Sequence, residues 1–441
     1  MTGVLGAGPA RPRLPQEARE GAAGGRPVRL LILGAGGRGQ VYADYARDHP
    51  AEAQVVGVAE PLPGRRDAFA ARHGLAGRHV YPDWETALRG APPADAVVVA
   101  TQDRDHVGPV EAAAGRGYAI LLEKPMATSP EECRRIVEAT RRAGVLLAVC
   151  HVLRYTPYTA ALKRLLTGGA VGEIVSVQHL EPVGYWHQAH SFVRGLWRNE
   201  GESSPMLLAK SCHDLDWLRY VVGRPCREVA SFGSLKHFRR EEQPPGASDR
   251  CLTCPPHVEG SCPYSARRYY LGQLQAGSTG WPVNVITDDL SPEGVLRALE
   301  SGPYGRCVYG CDNDVVDHQV VNLHFEGGVT ATFTMTAFTH ARGRETRIFG
   351  THGELFGDSR FLHLRDFLRD ETTVIDTEVP SDGSVLTGHG GGDAGLMRAF
   401  LRAVATRDPS QILSGPEETL ESHLMVFAAE AARRGGQIVR L

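Results

Sequence analysis

The sequence predicts an α/β protein in which an N-terminal doubly wound parallel sheet is followed by an α+β domain with a large, open, mostly antiparallel sheet. Three observations lead to this prediction. The 441 residues exceed the usual size of a single hydrophobic core. Buried strand patterns alternate with helical patterns as far as about residue 150, and hairpin patterns dominate after about residue 311. We therefore expect one domain at residues 27–150 and a second at residues 151–441.

Composition and charge narrow the classes of partner. The hydrophobic share of 42% and the charged share of 22% are ordinary for a globular protein, and the net charge of −3 gives no basic field for nucleic acid. The sequence has no apolar run of about eighteen residues, so we expect no membrane span. Residues 1–26 are rich in Gly, Pro, Ala and Arg without an apolar stretch, which predicts a disordered leader and a cytoplasmic protein.

The first strand, VRLLIL, runs directly into the glycine-rich sequence GAGGRG. Three of its glycines fit the G-x-G-x-x-G spacing, and helical sequence follows them. Glycines allow the backbone to approach a pyrophosphate, while the N-terminus of the helix offers free N–H groups and the positive end of its dipole. The turn therefore predicts dinucleotide binding by Gly34, Gly36, Gly37, Arg38 and Gly39.

The second strand, AQVVGVAE, ends in Glu60, 21 residues after Gly39. A carboxylate at this place accepts hydrogen bonds from the adenosine ribose hydroxyls and disfavours a 2′-phosphate. The sequence therefore favours NAD as the cofactor. NADP stays open as the alternative, because Arg65 and Arg66 follow closely.

Two further buried strands, in ADAVVVATQ and YAILLEKP, end in polar residues. Ligands of doubly wound sheets bind beyond the carboxyl ends of the strands, so these side chains are expected at one edge. Asp103 and His106 have helix capping as the alternative role. The predicted contacts at this edge are Thr101, Gln102, His106, Glu123 and Lys124.

The segments LLILGAGGRG, VVVATQDRDH, LLEKPMA and HVLRYTPYTAALKRLLTGGAVGEIVSVQH, in that order, resemble the Gfo/Idh/MocA oxidoreductase family. The resemblance implies a Rossmann domain and a C-terminal domain whose open sheet holds the substrate and often mediates oligomerisation. It also implies that Lys124 of the E-K-P motif lies beside nicotinamide and substrate, with a Lys–Pro bond that is often cis. We therefore expect a homo-oligomer that associates through the open sheet.

The region after the first domain is rich in aromatic residues and histidines. Such side chains suit the apolar faces and hydroxyl groups of a sugar or polyol, although an amphipathic loop packed on the domain would have the same composition. The predicted substrate contacts, including two polar residues of the next helix, are Tyr185, His187, His190, Trp197, Lys210 and Asp214.

The sequence MLLAKSCHDLDWLRYVVG predicts one helix with apolar residues at helical spacing. Dehydrogenases of the resembled family usually carry an Asp four residues before a His on this helix. His213 matches that histidine, but Ala209 stands where the Asp would be. His213 remains our candidate general base, with Lys124 polarising the substrate oxygen. A core histidine bound to a backbone carbonyl is the alternative.

A Pro/Gly-rich insert at about residues 236–311 contains C-x2-C-x7-C and two later cysteines. A C-x2-C pair with a third and a distant fourth thiolate predicts a structural zinc site, which would stabilise a segment with few core residues. An iron–sulfur cluster and free or disulfide-bonded thiols are the alternatives. The candidate ligands are Cys251, Cys254, Cys262 and either Cys307 or Cys311. Small packed residues are expected at Cys133, Cys150, Cys212 and Cys226.

The C-terminal third predicts two hairpins, one around EGG at residues 326–328 and one in TRIFGTHGELFGD. The group of Asp312, Asp314 and Asp317 with His318 is expected to be a solvated strand entry or a substrate rim rather than a metal cluster. In GHGGGDAGLMRAFL, His389 and Asp393 predict a rim loop with an Asp N-cap, and a phosphate cradle is the alternative.

These features together predict an NAD(P)-dependent oxidoreductase that transfers hydride between the cofactor and a sugar, polyol or derivative. A second hypothesis keeps the cofactor but lets transient oxidation drive elimination of a glycosidic bond. A third is a non-catalytic regulatory protein that binds NAD or a sugar. The E-K-P lysine favours catalysis, since a sensor has no need of it.

Overall fold

The computed structural model describes residues 26–378 and 388–441. The expected leader is therefore almost wholly outside the described residues, as is the segment before His389. Two sheets, one parallel and one mostly antiparallel, organise the rest. The predicted fold class is confirmed.

The first sheet is parallel, with the strand order β3-β2-β1-β4-β5-β6. Its strands are short apolar runs buried on both faces, as expected where helices cover each side. The order reverses between β1 and β4, and ligands bind at such a switch point. The strands are β1 (Val28–Leu33), β2 (Ala53–Ala59), β3 (Val80–Tyr81), β4 (Ala96–Val99), β5 (Ala119–Leu122) and β6 (Leu147–Val149).

The second sheet has nine strands in the order β14-β13-β12-β11-β7-β10-β9-β8-β15. Only the β7–β10 pair is parallel, and both predicted hairpins, β9–β10 and β11–β12, are confirmed. The strands are β7 (Ile174–Pro182), β8 (Cys226–Ser234), β9 (His318–Phe325), β10 (Thr330–Thr336), β11 (Glu345–Gly350), β12 (Gly353–Gly357), β13 (Phe361–Asp366), β14 (Glu371–Asp376) and β15 (Val439–Arg440).

Helices flank both sheets, and the insert is built largely of helices and turns. The α-helices are α1 (Gly37–Asp48), α2 (Pro63–Arg72), α3 (Trp84–Gly90), α4 (Val107–Ala114), α5 (Pro130–Ala143), α6 (Pro157–Thr167), α7 (Tyr185–His187), α8 (Met206–Ala209), α9 (Cys212–Val222), α10 (Pro256–Glu259), α11 (Ala266–Gln275), α12 (Val283–Ile286), α13 (Pro292–Ser301), α14 (Gly388–Thr406) and α15 (Pro416–Gly435). In the described part of the chain, no helix has the length and apolar character needed to cross a membrane.

The helix predicted over MLLAKSCHDLDWLRYVVG is divided in two. α8 ends at Ala209 and α9 begins at Cys212, so Lys210 and Ser211 form a break between them. The prediction of one continuous helix is therefore wrong. The break matters for the site, because the carbonyl of Ala209 is not used within a regular helix and faces another partner.

Helix α14 lies far along the chain but packs against the first sheet. Leu396, Met397 and Phe400 are fully buried in the same core as β1 and α1. The start of α14 is irregular, with left-handed backbone at His389, Gly390 and Gly391. This packing brings residues of the C-terminal segment to the edge where a cofactor would bind.

Candidate functional site

The glycine turn after β1 is shaped by close backbone contacts. Gly34 has φ +96°, and a Cβ atom there would lie 2.3 Å from the Ala100 carbonyl oxygen. A Cβ on Gly39 would lie 1.9 Å from the carbonyl oxygen of Gly34. Around Gly37, in contrast, the position of a Cβ is open, and Gly36 is the N-cap residue of α1, which has no side-chain cap. The turn therefore leaves an accessible helix N-terminus that fits a pyrophosphate.

Beside this turn lies a cavity of about 500 Å³, which we call the nucleotide cavity. Glu60 lines it and is only 3% exposed. Its two carboxylate oxygens accept the N–H groups of Ala35 at 2.9 Å and Leu62 at 3.1 Å. The acid is thereby held at the carboxyl end of β2, where it can meet a ribose. Other predicted residues that line the cavity are Gly34, Gly36, Thr101 and Gln102.

One of the predicted edge residues, His106, supports the loop that carries Lys124. The ring of His106 is fully buried, and its Nδ1 lies 2.9 Å from the carbonyl oxygen of Pro125. Asp103, in turn, accepts the indole N–H of Trp197 at 3.2 Å. His106 thus positions the E-K-P loop, and the predicted substrate contact Trp197 is tied to the edge of the first sheet.

Arg38 and Glu123 contact each other. The Arg38 guanidinium bonds to Glu123 at 2.7 Å and to Asp393 at 2.6 Å. Glu123 also accepts the hydroxyl of Tyr42 and the backbone N–H of Lys124. Although burial acts to raise the pKa of Glu123, Arg38 and Lys124 hold it below its usual range. The two predicted cofactor residues therefore form an ionised network behind the Lys124 loop.

Lys124 extends from the end of β5 to the second domain. Its Nζ donates a hydrogen bond of 2.8 Å to the backbone carbonyl of Ala209. The Lys124–Pro125 peptide is cis, as the resemblance implies. The carbonyl thus binds the ammonium at the position where the family usually has an Asp.

His213 lies on α9, close after that carbonyl, and is 5% exposed. Burial is the main cause that lowers its pKa well below the ordinary range, and repulsion from Lys124 adds to it. Its Nδ1 has no hydrogen-bond partner among the described residues. The imidazole is therefore neutral near neutral pH and can accept a proton. The alternative role, a core histidine bound to a backbone carbonyl, would need such a carbonyl near Nδ1, and the described residues place none there.

The two polar residues predicted on the same helix are paired instead of free. Asp214 is fully buried and bonds to Arg344 and, at 3.2 Å, to His179. Despite burial, Arg344 and His179 hold the pKa of Asp214 well below its usual range. Lys210 pairs with Glu181 at 2.9 Å. Asp214 therefore supports the wall of the site from behind.

A second cavity of about 430 Å³, the Arg344 cavity, adjoins this network. One of its lining residues, His389, also lies near His213, with the two ring centroids 6.1 Å apart. Its lining includes Tyr158, Thr159, His179, Trp217, Arg344, Arg360, Glu378 and His389.

The predicted histidines His187 and His190 face the insert. His187 contacts the ring of Trp281 at 5.0 Å, and His190 stacks on Tyr304 at 4.9 Å and bonds to the hydroxyl of Tyr270. Burial, with repulsion from Lys210, His190 and Lys124, lowers the pKa of His187 well below its ordinary value. His187 thus lies near both Lys124 and Lys210. Tyr185 is further into the insert, with its ring 6.3 Å from that of Tyr264.

The roles of Arg344, His389 and Asp393 are missed by the sequence analysis. Asp393 is wrongly predicted to be an N-cap, because its carboxylate bonds to Arg38 and, at 2.9 Å, to Nδ1 of His389. The GHGGGD sequence was the available signal, since it places a His and an Asp four residues apart. Arg344 follows a hairpin without any motif, so nothing in the sequence marks it.

The cysteines of the insert gather without forming a metal site. A small cavity of about 20 Å³ is lined by four of them, Cys251, Cys254, Cys262 and Cys307, and Cys311 is not among its lining residues. Within residues 26–378 and 388–441, however, no group of three or more His, Cys, Asp or Glu side chains is arranged to hold a metal ion. Burial raises the pKa of the thiols of Cys262 and Cys307, which disfavours the thiolate form that metals require.

The prediction of structural zinc, and with it the iron–sulfur alternative, is therefore not supported. All nine cysteines are free thiols, so the disulfide alternative is wrong and the free-thiol alternative agrees with the structure. Local aromatic and aliphatic packing with Phe238, Tyr264 and Tyr309 stabilises this part of the insert instead. The four scattered cysteines are buried, as predicted.

Comparison with known proteins places these features in a family. Residues 28–151 match the model described as the oxidoreductase family with an NAD-binding Rossmann fold, and residues 163–441 match the C-terminal alpha/beta domain of the same family. Together the two matches cover most of the chain. The resemblance to the Gfo/Idh/MocA family is confirmed.

Relatives include YteT of Bacillus subtilis, which is 23% identical over 343 residues, covering 73% of this chain and 76% of that protein. The scyllo-inositol 2-dehydrogenase (NAD(+)) of the same organism is 27% identical over 51% of this chain and 63% of its own length. Inositol 2-dehydrogenase 4 of Saccharopolyspora erythraea is 32% identical over 50% of this chain and 60% of its own length. The chain thus spans less than two thirds of these two dehydrogenases.

Solved structures share the fold. A levoglucosan dehydrogenase in complex with NADH and levoglucosan has a TM-score of 0.67 at 17% identity, covering 94% of this chain and 99% of its own. An oxidoreductase from Agrobacterium radiobacter, in complex with NAD+, L-tartaric acid and magnesium, has a TM-score of 0.68 at 14% identity. The match covers 94% of this chain and 98% of that one. At these identities the likeness concerns the fold alone.

Proposed function

Because the chain belongs to the Gfo/Idh/MocA family of NAD-binding oxidoreductases, we propose that it oxidises or reduces a neutral sugar or polyol between Lys124 and His213. The observation that carries this proposal is the bond from Nζ of Lys124 to the Ala209 carbonyl, because it joins the end of β5 to the helix break before His213. A cationic donor and a neutral buried imidazole thus lie at the carboxyl edge of a dinucleotide-binding sheet.

The bound nicotinamide cofactor would supply the acceptor or donor of hydride. Lys124 would bind and polarise the oxygen of the reacting carbinol. His213 would take up the proton of that hydroxyl group as the carbonyl forms. Gly36 and Gly37 would bind the pyrophosphate, and Glu60 the adenosine ribose, which favours NAD over NADP.

The charges around the Arg344 cavity support a neutral substrate. Arg344 pairs with Asp214 and, at 3.0 Å, with Glu181. Arg360 pairs with Asp376 at 2.8 Å and with Glu378 at 2.8 Å. Every arginine among the described lining residues therefore has a carboxylate partner, and none is free for a phosphate or a sugar acid. Hydroxyl groups can bind without separating these pairs.

The names of the relatives agree with this substrate class, since they include inositol dehydrogenases and a structure with bound levoglucosan. A homo-oligomer that associates through the open sheet remains part of the proposal. Phe232 on β8, which is 68% exposed, supports it.

The test is turnover of the purified protein with a panel of neutral polyols and sugars, and with their phosphorylated and acidic counterparts, each with NAD+ and with NADP+. We expect a change in nicotinamide absorbance with NAD+ and neutral compounds. The variant Lys124→Ala should lower kcat by roughly 1,000-fold, because the charge that polarises the oxygen is lost.

The affinity for NADH, measured by fluorescence, should stay near that of the parent protein in Lys124→Ala. Lys163→Ala is the matched control, because Lys163 also donates to a backbone carbonyl, that of Tyr220 at 2.9 Å, but on α6. Equal turnover of Lys124→Ala and Lys163→Ala would refute the role of Lys124. Activity confined to phosphorylated or acidic compounds would refute the neutral substrate.

A further inference from the structure

His389 and Asp393 form a pair that the proposed reaction does not yet use. Nδ1 of His389 lies 2.9 Å from a carboxylate oxygen of Asp393. The side chain of Asp393 is 1% exposed and is also bound by Arg38 at 2.6 Å. Although burial acts to raise the pKa of Asp393, Arg38 and His389 keep it below its usual range. A buried, ionised carboxylate therefore holds one nitrogen of the imidazole and fixes the direction of the ring.

The backbone at His389 is unusual. Its φ of 50° is in the left-handed region, which residues other than glycine rarely adopt. Two left-handed glycines follow it, so the chain turns sharply before α14 becomes regular. The strain is retained where the side chain reaches the cleft, as is common at functional positions.

The ring of His389 lies close to His213. The two ring centroids are 6.1 Å apart, which allows edge contact or one bridging water. The two residues differ in exposure: the side chain of His389 is 40% exposed, whereas His213 is 5% exposed. His389 thus lies between the buried imidazole and the solvent.

We propose that His389, held by Asp393, relays the proton between His213 and solvent during oxidation of the substrate. The inference rests on the proposed function and extends it to a residue that acts through His213. His389 is thus a relay residue that need not touch the substrate.

The environment of His213 explains why a relay is needed. The charged or titratable groups that face it are Lys124, His151, Arg344 and His389. Burial and the cations Lys124 and Arg344 disfavour an imidazolium at His213, so the proton cannot remain there. The family's usual Asp is replaced by Ala209, so the described neighbours on α8 offer no carboxylate. His151 lies closer to His213, with ring centroids 5.6 Å apart, and contacts Asp216 at 3.6 Å, but both of these residues are fully buried. The carboxylate on the solvent side is Asp393, which acts through His389.

The step balances in protons and electrons. Oxidation breaks the C–H and O–H bonds of the carbinol and forms the second C–O bond. A bound nicotinamide would accept the hydride with its electron pair, and the hydroxyl proton would pass to His213. His389 then takes this proton and releases it to water, which returns His213 to its neutral form. Reduction of the carbonyl runs through the same groups in reverse.

The test uses His389→Asn and His389→Gly in the full-length protein, since both residues tolerate left-handed backbone and should fold. We expect His389→Asn to lower kcat by roughly 10- to 100-fold with little change in NADH affinity, because proton transfer is lost but the cofactor site is intact. The solvent deuterium isotope effect on kcat should rise, as proton release becomes limiting. Added imidazole should restore part of the activity of His389→Gly.

His324→Asn is the matched control, because His324 is similarly exposed and lies 3.2 Å from Glu228, on β9. Its kcat and isotope effect should equal those of the parent protein. A His389→Asn variant with unchanged kcat and isotope effect would overturn the relay. So would loss of activity in His389→Gly without any rescue by imidazole.

A readout that needs no turnover separates this inference from the proposed function. In protein labelled with 13C-histidine, His389→Asn should raise the pKa of His213 in NMR titrations, because His389 is one of the groups that lower it. If no compound of the panel is turned over, the proposed function fails, whereas the contact is still judged by this titration. An unchanged His213 titration would overturn the relay even in an active enzyme.

Discussion

The candidate site has two sides, the glycine turn with Glu60 and the charged network around Asp214, and they are built by different means. On the cofactor side the backbone makes the site, with Gly34 at φ +96° against the Ala100 carbonyl and Glu60 bound to two amides. On the opposite side, charged side chains form a network in which Asp214 bonds to Arg344, 130 positions away in the sequence. The first kind of site depends on local geometry and the second on distant partners.

This difference predicts how each side responds to substitution. A backbone turn should fail when a Cβ atom is added at one position and tolerate it at another. A network of ion pairs should lose stability when a single buried charge is removed, because the partner charge is then left without compensation.

The largest effect is expected from Gly34→Ala. The new Cβ would meet the Ala100 carbonyl oxygen at 2.3 Å in a left-handed backbone, so β1 and β4 would have to separate. We expect a loss of unfolding free energy of about 4 kcal/mol and no measurable NADH binding. Denaturant unfolding and NADH fluorescence measure the two effects.

The control is Gly37→Ala, where a Cβ meets no atom within 4 Å. It should remain within about 0.5 kcal/mol of the parent protein in stability. If both substitutions destabilise the protein equally, the backbone contact at Gly34 is not the determining feature.

A smaller effect is expected from Asp214→Asn. The half-buried Arg344 and the buried His179 would lose the carboxylate that they share, at a cost of about 3 kcal/mol. Trp217 stacks on His179, so its fluorescence reports unfolding of this region directly.

Asp312→Asn serves as the comparison, since Asp312 pairs with Arg198 and Arg306 near the surface. Its loss should cost less than about 1 kcal/mol because solvent screens these charges. An equal cost for both substitutions would show that burial does not set the strength of the network.

The smallest effect concerns acid stability. Nε2 of His423 accepts the N–H of Met126 at 2.9 Å, and burial lowers the pKa of His423 to about 4. The unfolded chain, with an ordinary pKa near 6.5, takes up a proton earlier on acidification. The stabilisation is therefore complete above about pH 6.5 and is lost as the pH falls toward 4, by about 2 kcal/mol at pH 5.

In His423→Gln, the fall of unfolding free energy between pH 6.5 and pH 5 should become shallower by the contribution of one proton. The exposed His340 provides the control, since His340→Gln should keep the slope of the parent protein. A slope that His423→Gln leaves unchanged would mean that other groups cause the acid sensitivity.

Most of the first domain could be predicted because its signals are local. The glycine turn, Glu60 and the Lys124 loop each follow a buried strand, and parallel strands end at one edge. The break between α8 and α9 could not be predicted, since apolar residues continue across it at helical spacing. The zinc prediction for the insert is unsupported for a related reason: cysteine spacing suggests a metal, whereas the partial burial of the thiols and the aromatic packing come from residues elsewhere in the chain.

The sequence by itself determined the order of the elements, the dinucleotide turn, the position of Lys124 and the family to which the chain belongs. These features depend on periodicity and spacing within short segments. Only the tertiary structure decided which side chains surround His213. Asp214, the neighbour in sequence, is turned away and paired with Arg344, whereas His389 is brought close because α14 packs against the first sheet. Contacts of this kind depend on the packing of whole elements, which no local pattern encodes.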